Sequence, residues 1–147
     1  MTILLTQQEA DDLLALEKHF FGEGRFDFPA LGGSLRIPLH SSDQREEFSL
    51  DITRGKVLLT KHTFQTRARK VVALARLDLD GPPHRNPDGK EIDCPHLHRY
   101  REGYGDKWAE PLPAMFTGID DAVELLDVFM DYCRIVGKPI IERGLFA

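Results

Sequence analysis

The sequence predicts a single α+β domain, in which an antiparallel sheet of about five strands is flanked by an N-terminal and a C-terminal helix. Three observations predict this class: helical periodicity near both ends of the chain, alternating apolar and polar residues between them, and short polar turns separating the alternating segments. The length of 147 residues fits one domain covering residues 1–147.

The first helix is predicted from about Gln7 to Phe21. Thr6 and Glu9 form a capping box, a pattern in which each side chain bonds to the backbone of the other residue. Leucine and phenylalanine then recur at helical spacing, and two glycines follow Phe21. These glycines are expected to end the helix.

Strands are predicted in the middle of the chain, where apolar and polar residues alternate. The predicted strands cover residues 35–39, 48–53, 57–66, 71–79 and 96–101. Short turns between the first four favour an antiparallel order. In the fourth strand, the residues expected to face the core are Val71, Ala73, Ala75, Leu77 and Leu79.

The last helix is predicted to begin at a cap in Thr117–Asp120 and to end near Val136. Its apolar residues follow a 3.6-residue period, and Gly137 and Pro139 are typical of a helix end. The tail, residues 140–146, is predicted to form a short strand or a packed extension.

Composition excludes several classes of protein. Hydrophobic residues make up 41% and charged residues 29%, which fits a globular chain and excludes a disordered one. The start, Met1–Thr6, lacks the basic segment and long apolar run of a secretory signal. The two cysteines, Cys94 and Cys133, are too few and too far apart for a disulfide scaffold or a zinc knuckle. We therefore expect a cytoplasmic protein that does not span a membrane.

The net charge of −5 is unevenly distributed. Residues 54–108 carry 12 basic and 7 acidic residues, a net charge of +5, whereas residues 1–53 and 109–147 carry −6 and −4. No acidic residue lies between Asp51 and Asp78. Such a block favours a surface that binds a polyanion. The alternative is a solvated basic hairpin that the acidic helices balance.

The segment 78–108 is the predicted functional region, because it joins a long irregular loop to many chemically reactive side chains. The first hypothesis is a protein that engages nucleic acid, RNA in particular, with a metal-independent ribonuclease as its catalytic form and no cofactor. The candidate catalytic residues are His84, His96, His98, Tyr100 and Arg101. The candidate nucleic-acid-binding residues are Lys61, Arg67, Arg69, Lys70, Arg85, Arg99, Lys107 and Trp108.

Two alternatives stay open. Tyr, Trp and Arg are also typical of protein interfaces, which favours a partner-binding module of a phage or defence system. The second alternative is a protein that binds a divalent metal. His96-Leu97-His98 followed by Glu102 resembles the first metal motif of cupins, so His96, His98 and Glu102 are the candidate ligands.

Two runs carry a resemblance to a known family. They are Gly81-Pro82-Pro83-His84-Arg85-Asn86-Pro87-Asp88-Gly89 and the stretch from Pro95 through His96-Leu97-His98-Arg99-Tyr100 to Ala109. Together with residues 129–135, they resemble an uncharacterised domain-of-unknown-function family from bacteria and their phages. The resemblance implies a mobile-element or defence context and no specific activity.

Overall fold

The computed structural model describes residues 4–144, and within that range β-strands predominate. The helices are α1, Gln7–Ala15, and α2, Ala122–Tyr132, with one short 3₁₀ helix at Ala114–Phe116. The strands are β1 Lys18–His19, β2 Arg25–Asp27, β3 Ser34–Ser41, β4 Glu47–Arg54, β5 His62–Ala68, β6 Val72–Leu79, β7 His84–Arg85, β8 Glu91–Ile92, β9 His96–Arg99, β10 Ala109–Pro111, β11 Ile135–Gly137 and β12 Ile140–Glu142.

The main sheet is a curled half-barrel of eight strands in the order β10-β9-β6-β5-β4-β3-β1-β11. It is mixed, because β1 pairs in parallel with β11 while the pairs from β10 to β1 are antiparallel. The prediction of a five-stranded antiparallel sheet flanked by two helices is therefore wrong. The added strands are two or three residues long, too short for alternation to reveal them.

Two small sheets accompany the main one. Strands β2 and β12 pair in parallel, and β7 pairs with β8 in an antiparallel hairpin. This hairpin, residues 84–92, lies within the segment predicted to be an irregular loop. It is called the covering hairpin below, because it lies over one face of β9.

Helix α1 begins as predicted, with both hydrogen bonds of the capping box between Thr6 and Glu9 present. It ends at Ala15 rather than Phe21, because Lys18 and His19 pair as strand β1. The side chain of Lys18 is fully buried and donates hydrogen bonds to the carbonyls of Leu14, Leu16 and Cys133 at 2.7 to 2.8 Å. One ammonium group thus joins the C-terminal ends of both helices, where a cation is favoured.

Two predicted strands differ in detail from the structure. Strand β5 begins at His62 rather than at residue 57, and Val57 is 89% exposed. Val71 lies just before β6 and is exposed, and within the strand Ala73 is half-buried, whereas Leu74 and Ala75 are both buried. The cause is a register shift in the pairing of β5 with β6, which changes the side of the sheet that alternate residues face.

Helix α2 lies within its predicted span, although its cap is Asp121 and it ends at Tyr132, before the predicted end near Val136. The tail forms β12 at Ile140–Glu142. Residues 1–3, which entered the signal-peptide prediction, and residues 145–147, which entered the tail prediction, lie outside the described range.

Both helices and the inner face of the sheet share one apolar core. The rings of Phe64 on β5 and Phe129 on α2 lie 6.2 Å apart, and Leu97 on β9 is fully buried in the same cluster. Because side chains alternate along a strand, the neighbours of Leu97 face away from this core. No helix within residues 4–144 is long and apolar enough to cross a membrane.

Candidate metal centre

The candidate site is built on the pairing of β6 with β9. Asp78 lies opposite His96 in the register, and Arg76 lies opposite His98. Because Leu97 faces the core, His96 and His98 both face the other side of the sheet, as do Arg76 and Asp78 on the neighbouring strand. The sheet thus places two imidazoles and one carboxylate side by side on one face.

Both histidine side chains approach the same oxygen atom of Asp78. Nε2 of His96 and Nε2 of His98 each lie 3.2 Å from Oδ2 of Asp78. One potential ligand atom from each of Asp78, His96 and His98 lies within 4.8 Å of the other two. The histidines are 2% and 1% exposed, so both rings are shielded from bulk water.

Backbone carbonyls determine which nitrogen of each ring carries a hydrogen. Nδ1 of His98 lies 2.8 Å from the carbonyl oxygen of Asp106, and Nδ1 of His96 lies 3.2 Å from that of Asp93. A carbonyl oxygen only accepts, so each Nδ1 donates. In a neutral imidazole this leaves Nε2 as a lone pair, and both lone pairs then face Asp78.

The Nε2 atom of His98 has no hydrogen-bond partner, although Asp78 lies close to it. The 3.2 Å separation suits a hydrogen bond in length but not in direction. A buried nitrogen without a partner is costly, and in a folded protein it points to an absent proton, water or ion. Here the nitrogen lies beside an anionic carboxylate, which favours a cation.

Arg76 and Asp106 hold the carboxylate of Asp78 in place. Nε of Arg76 donates to Oδ1 of Asp78 at 3.0 Å, and Nη1 of Arg76 donates to Asp106 at 2.8 Å. Burial opposes ionisation of Asp78, but the hydrogen bonds and the positive charge of the Arg76 guanidinium favour the carboxylate, and the pKa of this group lies well below its usual value. Asp78 is therefore anionic at neutral pH.

The covering hairpin places a third histidine against the pair. The ring centroid of His84 lies 4.5 Å from that of His98, and Nε2 of His84 donates to the carbonyl of Lys107 at 2.7 Å. The buried Asn86 pins the hairpin to β10. Its amide donates to the carbonyl of Ala109 at 2.9 Å, and its oxygen accepts from the Ala109 N–H at 2.8 Å.

A cavity of about 440 Å³ opens onto the three residues. Its walls include Lys61, His84, Cys94 and the prolines at 82 and 83. The thiol of Cys94 donates to the carbonyl of Asp78 at 3.3 Å and accepts from the N–H of Gly81 at 3.1 Å. These bonds tie both ends of the 81–94 segment to the end of β6.

Comparison with known proteins identifies the family. The model of a family of unknown function, DUF6978, matches residues 5–135, which is most of the chain. The chain belongs to DUF6978. The resemblance stated from the sequence, to a domain-of-unknown-function family, is thereby confirmed. No curated protein and no solved structure matches the chain.

In this DUF6978 chain, three of the residues predicted for the site lie away from the candidate metal centre. They are Tyr100, Arg101 and Glu102. The hydroxyl of Tyr100 donates to the carbonyl of the buried Leu5 at 2.7 Å and accepts from its N–H, so it anchors the N-terminal segment. The guanidinium of Arg101 stacks on Trp108, 3.9 Å from the ring centroid. Glu102, the predicted third ligand, accepts a hydrogen bond from the N–H of Gln7 and is not part of the cluster around His96 and His98.

Several basic residues of the 54–108 block are engaged in ion pairs with acidic residues of the same DUF6978 chain. Arg67 pairs with Asp51 at 2.6 Å, and Arg69 pairs with Glu46 at 3.3 Å. The remaining predicted nucleic-acid contacts are scattered: Arg85 pairs with Glu91, Arg99 with Asp11, Lys70 and Lys107 are exposed, and Lys61 lines the cavity. Asp51 on β4 and Glu46 just before it supply these partners, so acidic residues of the sheet rather than of the helices balance this part of the hairpin.

Sequence reasoning missed Asp78. It was used only to mark the end of the acid-free stretch, although its side chain completes the cluster in this DUF6978 chain. The available signal was its position: Asp78 interrupts the apolar end of a strand, between Leu77 and Leu79, as His96 and His98 flank Leu97. Polar residues that break the apolar pattern of a strand in this way tend to mark functional sites.

Proposed function

We propose that the protein binds a divalent transition-metal ion through Asp78, His96 and His98. The observation that carries the proposal is the convergence of both Nε2 atoms on Oδ2 of Asp78 while both Nδ1 atoms are committed to backbone carbonyls. Metal-binding histidines typically use one ring nitrogen for the ion and donate from the other to a carbonyl or carboxylate.

Protons satisfy Asp78, His96 and His98 less well than a metal ion does. One proton on Nε2 of His96 can bridge to Asp78, but it leaves Nε2 of His98 without a partner. Protonating both rings places two buried imidazolium ions beside the cation of Arg76, with strong mutual repulsion. A divalent ion accepts all three ligands at once.

The spacing of the ligand atoms also suits an ion. Zinc lies about 2.0 to 2.2 Å from nitrogen and oxygen ligands, so two ligands at angles between octahedral and tetrahedral lie about 2.8 to 3.6 Å apart. The observed 3.2 Å between each Nε2 and Oδ2 falls in this range. Arg76 holds the carboxylate through both oxygens, donating from Nε to Oδ1 at 3.0 Å and from Nη2 to Oδ2 at 3.3 Å.

The ligand set indicates the kind of centre. Structural zinc sites use four protein ligands, whereas catalytic sites use three and leave a position for water or substrate. Two histidines and one carboxylate suit Zn²⁺ and also the Fe²⁺ of non-haem enzymes. The adjoining cavity gives the open position access to solvent. The arrangement is therefore that of a catalytic centre rather than a structural one.

Metal uptake by matched variants tests the proposal. Metal-free protein is titrated with Zn²⁺ and, under anaerobic conditions, with Fe²⁺, and bound metal is counted by elemental analysis. We expect one ion per chain in the wild type and at least a hundredfold weaker binding in His98→Gln and Asp78→Asn. The controls are Glu102→Gln, which removes the carboxylate predicted from the sequence, and His40→Gln, which removes a histidine outside the cluster.

Circular dichroism and thermal unfolding show whether each variant is folded, since His98 is buried. Asp78 is only partly buried, so Asp78→Asn keeps the test valid if His98→Gln does not fold. Undiminished binding in folded Asp78→Asn, or loss of binding in Glu102→Gln, contradicts the proposal. So does a wild type that takes up neither ion.

The nucleic-acid and partner-binding hypotheses stay predictions. A gel shift with total cellular RNA at low and high salt tests the first, because phosphate contacts weaken steeply with salt. A cytoplasmic location is likewise proposed, and the unpaired thiols of Cys94 and Cys133 support it.

A further inference from the structure

The exposed Lys61 lines the cavity beside the candidate metal centre, and its side chain passes close to two glycines. A methyl group added at Gly55 would lie 3.1 Å from Cβ and 3.2 Å from Cδ of Lys61, so the side chain runs directly over Gly55. A methyl group added at Gly81 would lie 4.0 Å from Cε of Lys61 and 4.0 Å from Sγ of Cys94. The ammonium end of Lys61 therefore lies at the wall of the cavity.

The ammonium group of Lys61 has no acidic partner among residues 4–144. The nearby carboxylate of Asp80 accepts a hydrogen bond from the hydroxyl of Thr60. The other cation of the cavity, Arg76, is held by Asp78 and Asp106. Lys61 is thus a charged donor directed toward the cavity and not used by the fold.

The charges of the cavity favour an anion. Among residues 4–144, Asp78 is the one carboxylate that lines the cavity, and both it and Asp106 pair with Arg76, so Lys61 supplies a positive charge that no acidic residue balances. A divalent ion at the candidate centre adds two more. A ligand that brings negative charge neutralises this excess, whereas a cationic ligand meets repulsion from Lys61 and the ion.

We infer that the cavity binds a small oxyanion, a carboxylate or a phosphate, with one oxygen on the metal ion and another on the ammonium of Lys61. The inference rests on the proposed metal centre. Carboxylate and phosphate share the needed chemistry, namely two or more oxygens on one atom that can bridge a metal ion and a hydrogen-bond donor.

Visible spectroscopy of the cobalt-substituted protein tests the inference. Co²⁺ occupies zinc sites and its visible spectrum changes when a new ligand enters the coordination shell. The Co²⁺-loaded protein is titrated separately with inorganic phosphate and with acetate. We expect a saturable spectral change with at least one anion, and about tenfold weaker binding of that anion in Lys61→Gln, because one charge-assisted hydrogen bond is lost.

Lys56→Gln is the matched control, since Lys56 is an exposed lysine in the same β4–β5 loop that does not line the cavity. Its anion affinity is expected to stay within twofold of the wild type. Gly55→Ala is a second probe: its added methyl group displaces the stem of Lys61, and we expect weaker anion binding with Co²⁺ uptake unchanged.

The outcomes separate the two proposals. Normal Co²⁺ uptake with no spectral response to either anion overturns the oxyanion inference and leaves the metal centre intact. Equal anion affinity in wild type and Lys61→Gln also overturns it. Failure of the wild type to take up Co²⁺, Zn²⁺ or Fe²⁺ overturns the metal centre and this inference with it. A response to phosphate alone, or to acetate alone, supports the inference and identifies the anion.

Discussion

Asp106 supports His98 directly through its backbone and Asp78 indirectly through its side chain. Its carbonyl accepts the Nδ1 hydrogen of His98 at 2.8 Å, while its carboxylate binds the guanidinium of Arg76, which in turn orients the carboxylate of Asp78. Outer partners of this kind fix the orientation of metal ligands and strengthen binding.

The first prediction concerns the carboxylate of Asp106. Asp106→Asn keeps the backbone carbonyl but weakens the ion pair with Arg76, so we expect metal affinity to fall about tenfold. Competition with a chelator of known affinity measures the change. Asp120→Asn, at an exposed position, serves as the control and should bind as the wild type does. Equal affinity in Asp106→Asn would show that Arg76 needs no second anchor.

The second prediction concerns the anchor of the covering hairpin. Asn86→Ala leaves the N–H and the carbonyl of Ala109 without their side-chain partners, and we expect a loss of about 2–4 kcal/mol in the free energy of unfolding of the metal-free protein. Urea unfolding measures this loss. Hydrogen exchange at the Ala109 amide should accelerate as well, and an unchanged exchange rate would contradict the assigned role.

The third prediction concerns Tyr100, which the sequence suggested as a catalytic residue and which we expect to have a structural role. Its hydroxyl bonds twice to the backbone of Leu5, so Tyr100→Phe should lower the free energy of unfolding by about 1–2 kcal/mol. Metal affinity should not change, because Tyr100 does not line the cavity. Calorimetry and metal titration give the two readouts. Tyr104→Phe, at an exposed tyrosine, should leave both unchanged.

The fourth prediction concerns pH and the buried ammonium of Lys18. Burial lowers the pKa of Lys18 to about 8, and repulsion from Arg134 acts in the same direction. Between this value and the ordinary pKa near 10.5, the unfolded chain binds more protons than the folded chain, so stability rises with pH. The neighbouring Cys133 opposes this trend above about pH 9, because burial raises the pKa of its thiol from 9.0 to about 12 and the unfolded chain loses that proton first.

Lys18→Met removes this titration and supplies the reference. The wild type should gain about 2 kcal/mol of unfolding free energy relative to Lys18→Met between pH 7.5 and 9.5. Urea unfolding at four pH values across that window measures the difference. A difference that stays constant, or that falls with pH, would show that the three carbonyls keep the folded ammonium charged throughout.

Much of the local structure could be predicted from the sequence, because local interactions produce it. Residues close together in the sequence determine the capping box at Thr6 and Glu9. The same holds for the alternation of buried and exposed residues in β3, β4 and β5. Strand β1 is different, since Lys18 and His19 form a strand only because β3 and β11 lie on either side of them. Pairing between distant segments leaves no periodic signal in so short a stretch.

The same limit applied to the candidate site. The shared parity of His96 and His98 is a local property and was visible in the sequence. Asp78 joins them through the pairing of β6 with β9, whose register no local pattern specifies. Glu102 has the parity of the histidines, but β9 ends at Arg99 and the chain turns at residues 101–105, so parity no longer determines its direction.

Strand β9 contributes to the core through Leu97 and to the candidate centre through the two histidines beside it. A slip of one residue against β6 would bury imidazoles in the core and place a leucine opposite Asp78. Misaligned molecules therefore cannot assemble the metal-binding cluster. An ion that binds the aligned form alone also shifts the folding equilibrium toward it. On the proposed assignment, the fraction of chains that take up metal measures the fraction whose sheet has paired in this register.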